Sequence, residues 1–382
     1  MLQIVYLCLI LLSCTLSLKN SFFKKISLFL VIGYFVILSG GNLTNNDAKI
    51  YSDIFETSKY AFFTKDIGYG FLLNIAHGMD LSLSTFRFLE YFIGILLIHF
   101  GVKKIAGKNE IIFFVLYLIY PFLLDVIETR NFLALSVLIF SIQFFLKKGM
   151  GRKLFFILLF ALSCTLHKIM VIYIPCFLLF LIPTKSKNIR KAIYMLFFMC
   201  CVIGVQRDVV SNVLLSVEHI VGHIPGIDRN LRVDNENGWI VTYFSTISFF
   251  IAANLIYSEF LKLANSNVIK KDSFIFKSAK LIFVLSIWSC MFIPFYAVSA
   301  DYMRVSRNMI PLSIASFASL LSYKSFKFKN ILVHKINKCD MAICFVVAMQ
   351  LVEISSIFYS NLQSALIYDT FVNNTIFNFF II

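Results

Sequence analysis

The Lys and Arg residues of this 382-residue chain occupy every second gap between its apolar runs, and that alternation sets both its class and its orientation. Six gaps hold Lys19, Lys24 and Lys25; Lys103, Lys104 and Lys108; Lys147, Lys148, Arg152 and Lys153; Lys185, Lys187, Arg190 and Lys191; Lys262, Lys270, Lys271, Lys277 and Lys280; and Lys324, Lys327, Lys329, Lys335 and Lys338. These gaps carry 24 of the 35 basic residues, whereas 16 of the 20 acidic residues lie elsewhere, the exceptions being Glu110, Glu259, Asp272 and Asp340. A protein that obeys the positive-inside rule has this pattern, with the basic gaps cytoplasmic and the intervening loops outside.

Composition points the same way. Charged residues make up 14% of the chain and mean hydropathy is +0.84, against roughly 25% charged residues in a soluble domain. The net charge of +15 is then anchoring charge that favours anionic lipid headgroups, not a footprint for nucleic acid.

The apolar runs are Leu2 to Leu18, Ile26 to Ser39, Leu83 to Phe100, Ile111 to Ile127, Phe132 to Leu146, Leu154 to Leu166 and Ile169 to Ile182. They continue with Ala192 to Val205, Trp239 to Tyr257, Leu281 to Val298, Met309 to Leu321 and Met341 to Phe358. Backbone groups in lipid must be satisfied within each segment, so the spans are expected to be helices. The expected fold is an all-α polytopic integral membrane protein with about 12 transmembrane helices, in a range of 10–14, forming a single domain over 1–382. Several runs fall short of the roughly 20 residues a straight span needs, so polar flanks must complete them or the helices must be irregular. The first run has its Lys residues after the apolar stretch and no small-residue cleavage site, which is not the form of a signal peptide. Both termini are expected outside.

Eight of the nine cysteines fall in apolar runs, with no C-x-x-C pair and no zinc spacing, and read as small core residues. The Asn42 and Asn373 sequons matter only in a secretory eukaryotic setting. No Walker sequence, dinucleotide-binding glycine pattern, nucleophile elbow or H-E-x-x-H is present, so an ATP-driven pump, a Rossmann enzyme and a zinc protease are unsupported. Ionisable residues inside the spans are few (Glu90, His99 and Glu353), fewer than a cation-coupled transporter would show near the bilayer midplane.

Candidate chemistry lies in the external loops, approximately 41–80 and 206–238, and in short external turns. The first loop holds Asp47, Tyr51, Asp53, Glu56, Lys65, Asp66, Tyr69 and His77; the second holds Arg207, Asp208, Glu218, His219, His223, Asp228, Arg229, Arg232 and Asp234. The turns add Asp125, Glu128 and Arg130, then His167 and Lys168, then Asp301, Arg304 and Arg307. Basic residues on the disfavoured side admit two readings. Arg130, Arg304 and Arg307 are interfacial anchors paired with Glu128 or Asp301, or they capture an anion, for which guanidinium forks suit a phosphate or diphosphate. Counting crossings returns Arg130, His167 and Arg304 to one outer face, where they could line one cavity. His167 is a structural interfacial histidine or a base, and Lys168 a snorkelling anchor. Asp47 and Asp53, or Asp125 and Glu128, are solvated carboxylates, a carboxylate base or contacts to sugar hydroxyls. Arg87 and Glu90, three residues apart, are expected to pair with each other.

Asp47-Ala-Lys-Ile-Tyr51-Ser-Asp53-Ile-Phe55, then Asp66-Ile-Gly68-Tyr69-Gly-Phe-Leu72, then Arg130-Asn-Phe-Leu-Ala134, then Leu166-His167-Lys168 occur in an order that resembles the EpsG-like family of Wzy-type bacterial polysaccharide polymerases. The motif match covers roughly Asn42 to Ile182, and the remainder matches by span pattern and the Arg304/Arg307 pair. The family often carries Glu-Pro where this chain has Asp66-Ile67.

The resemblance implies glycosyl transfer at the outer face of the bacterial cytoplasmic membrane, for an O-antigen, capsule or exopolysaccharide, in an architecture that could be GT-C-like. A growing glycan on undecaprenyl diphosphate is the implied donor, a lipid-linked repeat unit the acceptor, and a chain-length regulator and a flippase the pathway partners. Arg130, Arg304 and Arg307 would then bind diphosphate. His167, followed by Asp66 or Asp47, would act as base, and Tyr51, Tyr69 and Asp53 would form the sugar site. No cofactor or metal is required. Competing classes are a lipid-linked oligosaccharide flippase or other secondary transporter, a polyprenyl-phosphate-sugar transferase and, more remotely, a membrane O-acyltransferase.

Overall fold

The computed structural model describes residues 21–43, 46–180, 187–205, 238–296 and 300–323, with isolated positions between 341 and 352. The runs expected over 2–18 and 341–358, the loop 206–238 and the tail 359–382 lie wholly or mostly outside the described residues. Within the described residues the secondary structure is helical, with no strand. Among the described residues, three stretches are long and apolar enough to cross a membrane: Leu83–Ile119, Thr242–Asn265 and Phe274–Phe295. Shorter apolar helices cover Lys25–Gly40, Thr129–Phe145, Lys168–Leu179 and Lys191–Ile203. The chain divides into two compact units, one built mainly on Met1–Val171 and the other on Ile172–Phe317.

The first unit contains α1 (Ser21–Gly40), α2 (Asn46–Thr57), α3 (Ile67–Gly78), α4 (Leu83–Ala106), α5 (Glu110–Ile119), α6 (Phe122–Asp125), α7 (Thr129–Phe145) and α8 (Met150–Leu166). Helix α4 starts where the Ser82 hydroxyl accepts from the Thr85 N–H, a good N-cap. It ends with Lys103 and Lys104 in its last turn and Gly107 at φ +60, a favourable charge at the carbonyl end and a conformation suited to glycine. A single 3-10 turn, Gly107–Asn109, then leads into α5. The apolar run from Ile111 is not one helix, because α5 stops at Tyr120, before Pro121, the residue that disfavours a helical predecessor.

Helix α7 is the centre of this unit, buried along nearly its whole length and packed between α4 and α8. Between helices in lipid, close packing and polar contacts replace the hydrophobic effect as the adhesive. A Cβ at Gly101 of α4 would come within 2.9 Å of the Ile139 carbonyl oxygen, so glycine lets the two backbones approach. The Ser163 hydroxyl of α8 donates to the Ala134 carbonyl of α7 at 2.7 Å. On its other side α8 exposes Leu154, Ile157, Leu158 and Leu162, side chains suited to lipid.

The second unit contains α9 (Ile174–Leu179), α10 (Lys187–Val205), α11 (Gly238–Asn265), α12 (Phe274–Cys290), α13 (Ala300–Arg307) and most of α14 (Ile310–Tyr323). The run expected from Ile169 is irregular: a 3-10 segment, Lys168–Tyr173, precedes the single short helix α9. Helices α11 and α12 form its main pair. Lys280 Nζ donates to the Phe180 carbonyl at 2.6 Å, Trp288 Nε1 to Ile172 at 2.9 Å and the Tyr173 hydroxyl to Val305 at 2.9 Å. These bonds fasten α12 and α13 to the segment around α9.

Candidate functional site

Asp66 stands immediately before α3 in extended conformation, but its side chain caps nothing in its own helix. Instead the carboxylate gathers groups far away in sequence. Oδ2 accepts from Arg130 Nη1 at 2.5 Å, and Oδ1 accepts from the Lys168 backbone N–H at 3.1 Å. His167 Nδ1 lies 3.5 Å from the same Oδ1, an ion-pair distance longer than a good hydrogen bond.

Local sequence explains how the three segments meet. Helix α8 ends at Leu166, and His167 is extended (φ −152, ψ 117), so the Lys168 N–H at the start of the following 3-10 helix is free to take the Asp66 carboxylate. Orphan donors at helix starts favour such a carboxylate. Gly68 makes the approach possible: a Cβ there would fall 2.4 Å from Thr165 Oγ1 and 2.9 Å from the Thr165 carbonyl carbon. Arg130 projects from the first turn of α7, after Glu128 at its N-cap position.

The carboxylate is the hidden member of the group. The Asp66 side chain is 0% exposed, whereas those of Arg130 and His167 are 15% and 13% exposed, so only the latter two can meet a ligand. Burial pushes the Asp66 pKa up, but the neighbouring His167, the Lys168 N–H and the charge of Arg130 outweigh it and hold the carboxyl below its usual range. Asp66 is therefore a fixed negative charge between a guanidinium and an imidazole.

The Arg130 guanidinium is also held by rings, its Cζ 5.6 Å from the Tyr51 centroid and 5.4 Å from that of Phe63, distances at which cation–π attraction acts. Arg87 lies 5.8 Å from Tyr51 and 5.8 Å from Tyr91. Tyr51 thus touches both guanidiniums, and burial raises its phenol above the ordinary value, so it stays neutral. The expected Arg87–Glu90 pair does not form. Arg87 Nη2 donates to the Val126 carbonyl at 3.2 Å, while both Glu90 side-chain oxygens are buried without a hydrogen bond. The Tyr91 hydroxyl donates to the same carbonyl at 2.6 Å and meets Thr129 Oγ1 at 3.1 Å. Arg87 and Tyr91 of α4 consequently fix the turn that aims Arg130.

The other candidates divide as follows. Asp47, Tyr51 and Phe55 are spaced four apart on α2, which places them on one face, with Asp47 half-buried in the first turn and the two rings buried. Asp53 is exposed on α2. Tyr69 is a core residue, 2% exposed and packed with Phe55, Leu73, Ala76 and Phe86. His77 ties α3 to α2, with Nε2 2.9 Å from the Phe55 carbonyl and 2.8 Å from Ser58 Oγ. Asp125 is buried and accepts from the Tyr117 hydroxyl at 2.6 Å, a structural contact. Arg304 and Arg307 are half-buried in the last turn of α13, in the second unit.

Phe63, the Lys168 N–H and the second stack on Tyr51 escape the sequence reading; Gly68, two residues after Asp66, is the one local sign of a close approach. Among the described residues no group of three or more His, Cys, Asp or Glu side chains is placed to hold a metal ion.

The site holds a buried carboxylate, a guanidinium lying over two rings and an imidazole 3.5 Å from the carboxylate, groups able to bind an anion and move a proton. No curated protein and no solved structure matches the chain. The EpsG family model matches residues 25–368, spanning Asp66, Arg130 and His167 as well as Arg304 and Arg307. With its apolar spanning helices, the chain belongs to the EpsG family of membrane proteins of polysaccharide biosynthesis.

Proposed function

We propose that the chain is a glycosyltransferase of the Wzy type. It joins undecaprenyl-diphosphate-linked oligosaccharide repeat units into a surface polysaccharide, at the outer face of the cytoplasmic membrane. The observation that carries the reading is the bridging of Arg130 and His167 by the Asp66 carboxylate. The alternation of basic gaps supports the outer face, and family membership supports the pathway.

The geometry is compatible with the following reaction. Asp66 beside Nδ1 favours the imidazole tautomer with its proton there, which leaves Nε2 as the basic nitrogen. His167 Nε2 takes the proton of an acceptor sugar hydroxyl as that oxygen attacks the anomeric carbon of the donor glycan. The bond from that carbon to the diphosphate oxygen breaks, and polyprenyl diphosphate leaves with the electron pair. Arg130 meets the charge growing on the leaving group, while Asp66 stabilises the imidazolium. A buried carboxylate with both oxygens engaged orients the base and does not act as one, as in other nucleophile–base–carboxylate arrangements. Tyr51 and Asp53 remain candidates for the sugar site and Asp47 a candidate base. Arg304 and Arg307 are candidates to hold a diphosphate in their own right.

The products of a deletion strain test the assignment. Without the polymerase, repeat units are still assembled and exported but not extended, so the long-chain glycan ladder disappears while single units persist. Units stranded on the inner leaflet would mean a flippase instead, and repeats lacking one sugar would mean a monosaccharide transferase.

A further inference from the structure

Helix α3, which begins at the residue after Asp66, has two unlike faces. One packs Tyr69, Leu73 and Ala76 into the core with Phe55 and Phe86. The other carries Ile67, Phe71 and Ile75, which are 64%, 60% and 43% exposed, and is continued by Met79 at the C-cap, 64% exposed. Their fourfold spacing makes one continuous stripe, about 18 Å long at ~1.5 Å per residue. Exposed Phe62 lies beside its start, and Lys65 and Asp80 are exposed at its two ends. An apolar stripe of this length on a polar loop marks an interaction surface.

The position of α3 in the chain identifies what meets that surface. Gly78 ends α3 and Leu83 begins α4, the start of a stretch long and apolar enough to span the membrane. Only residues 79–82 intervene, a connection that reaches at most about 18 Å even when extended. The C-terminal end of α3 is therefore tethered to within headgroup distance of the membrane's hydrocarbon core, where an exposed apolar helix face can be buried at the headgroup–acyl boundary.

We propose that α3 is an interfacial helix whose Ile67–Phe71–Ile75–Met79 face rests in the bilayer at the headgroup–acyl boundary. On the functional reading above, this sets Asp66, and with it Arg130 and His167, at the depth where the diphosphate of a lipid-linked glycan lies.

Depth-resolved quenching of tryptophan fluorescence tests the proposal without reference to activity, so its outcome is separate from that of the functional assignment. Phe71→Trp and, independently, Ile75→Trp are introduced into the full chain, which is placed in nanodiscs of phosphatidylcholine brominated either near the headgroup end or near the tail end of its acyl chains. The emission of native Trp239 and Trp288 is subtracted using the unsubstituted protein. The expected result is blue-shifted emission from the added tryptophan, quenched more by the shallow bromines than by the deep ones and unaffected by aqueous iodide. Quenching by iodide without quenching by bromolipid would place the face in water. Indifference to both would mean that protein covers it. Stronger quenching by the deep bromines would make α3 a membrane-inserted segment. Any of these three results overturns the proposal.

Discussion

A guanidinium that lies over two rings and donates to a buried carboxylate is held on several sides, so the contacts of Arg130 depend on its shape as well as its charge. Arg130→Ala is expected to lower the rate of chain extension by about 10²–10³-fold, the usual cost of losing one charge-stabilising donor. Arg130→Lys is expected to fail nearly as badly, and wild-type activity in the lysine variant would reduce the residue to an anchor. His167→Ala should leave binding of lipid-linked substrate intact and slow turnover by roughly 10²–10⁴-fold. Recovery in His167→Gln, which cannot take the proton, would make the residue a positioning group. Asp66 has a pH signature. Its pKa is lowered in the folded protein, so its contribution to stability is fully present above the unfolded carboxyl value, near ~3.9, and is lost as pH falls through the folded value. Thermal unfolding in detergent should show a wild-type loss of stability below about pH 4 that is absent from Asp66→Asn, and that variant should be less stable at neutral pH. Parallel pH curves for the two proteins would contradict the ion pair. Arg130 and His167 stand out in the sequence because the alternation of basic gaps puts each at a span end on the expected outer side, which disfavours cations. Asp66 does not reveal its role there, since its partners are 64 and 102 positions away. The spacing of Arg87 and Glu90 misleads, because a nearby backbone carbonyl and two tyrosine rings compete successfully for the guanidinium.

Helix positions follow the apolar runs closely, and the departures have local causes. The run from Leu83 extends through Lys103 and Lys104 to Ala106 as α4, and the run from Trp239 extends to Asn265 as α11, because long polar side chains can complete a span from its ends. The runs from Ile111 and Ile169 break, the first at Pro121 and the second where a 3-10 segment follows His167. That second break leaves the Lys168 N–H to Asp66, for a continuous helix would engage it. Hydropathy has no means of reporting such a break; it counts apolar side chains and is blind to which backbone donor is left over. The contact between α3 and the end of α8 is likewise invisible except through Gly68. Gly68→Val should force the two segments apart at a cost of about 1–3 kcal/mol, separating Asp66 from His167 and Lys168. The expected phenotype is a strong loss of activity in a protein that still inserts in the membrane, with a lowered melting temperature in detergent. An unchanged melting temperature and full activity would show that the close approach is unnecessary.

For the whole molecule, family membership and the spanning helices define a membrane protein of polysaccharide biosynthesis, and the distribution of its 35 basic residues supports the orientation that turns Asp66, Arg130 and His167 outward. Polymerisation at that face has simple requirements: lipid-linked units supplied from within, no nucleotide sugar, and one polyprenyl diphosphate released for each bond made. Those requirements separate it from transport and from nucleotide-dependent glycosyl transfer in a single assay. The full-length protein is reconstituted in liposomes with purified lipid-linked repeat units as the only substrate, and the lipid-linked products are resolved by size alongside the free polyprenyl diphosphate. Dimers, trimers and longer glycans are expected, with polyprenyl diphosphate released in equal number to the bonds formed, and neither product from the Arg130→Ala or His167→Ala protein. Repeat units that remain single while the wild-type protein moves them across the bilayer would contradict this assignment, as would extension undiminished in both variants.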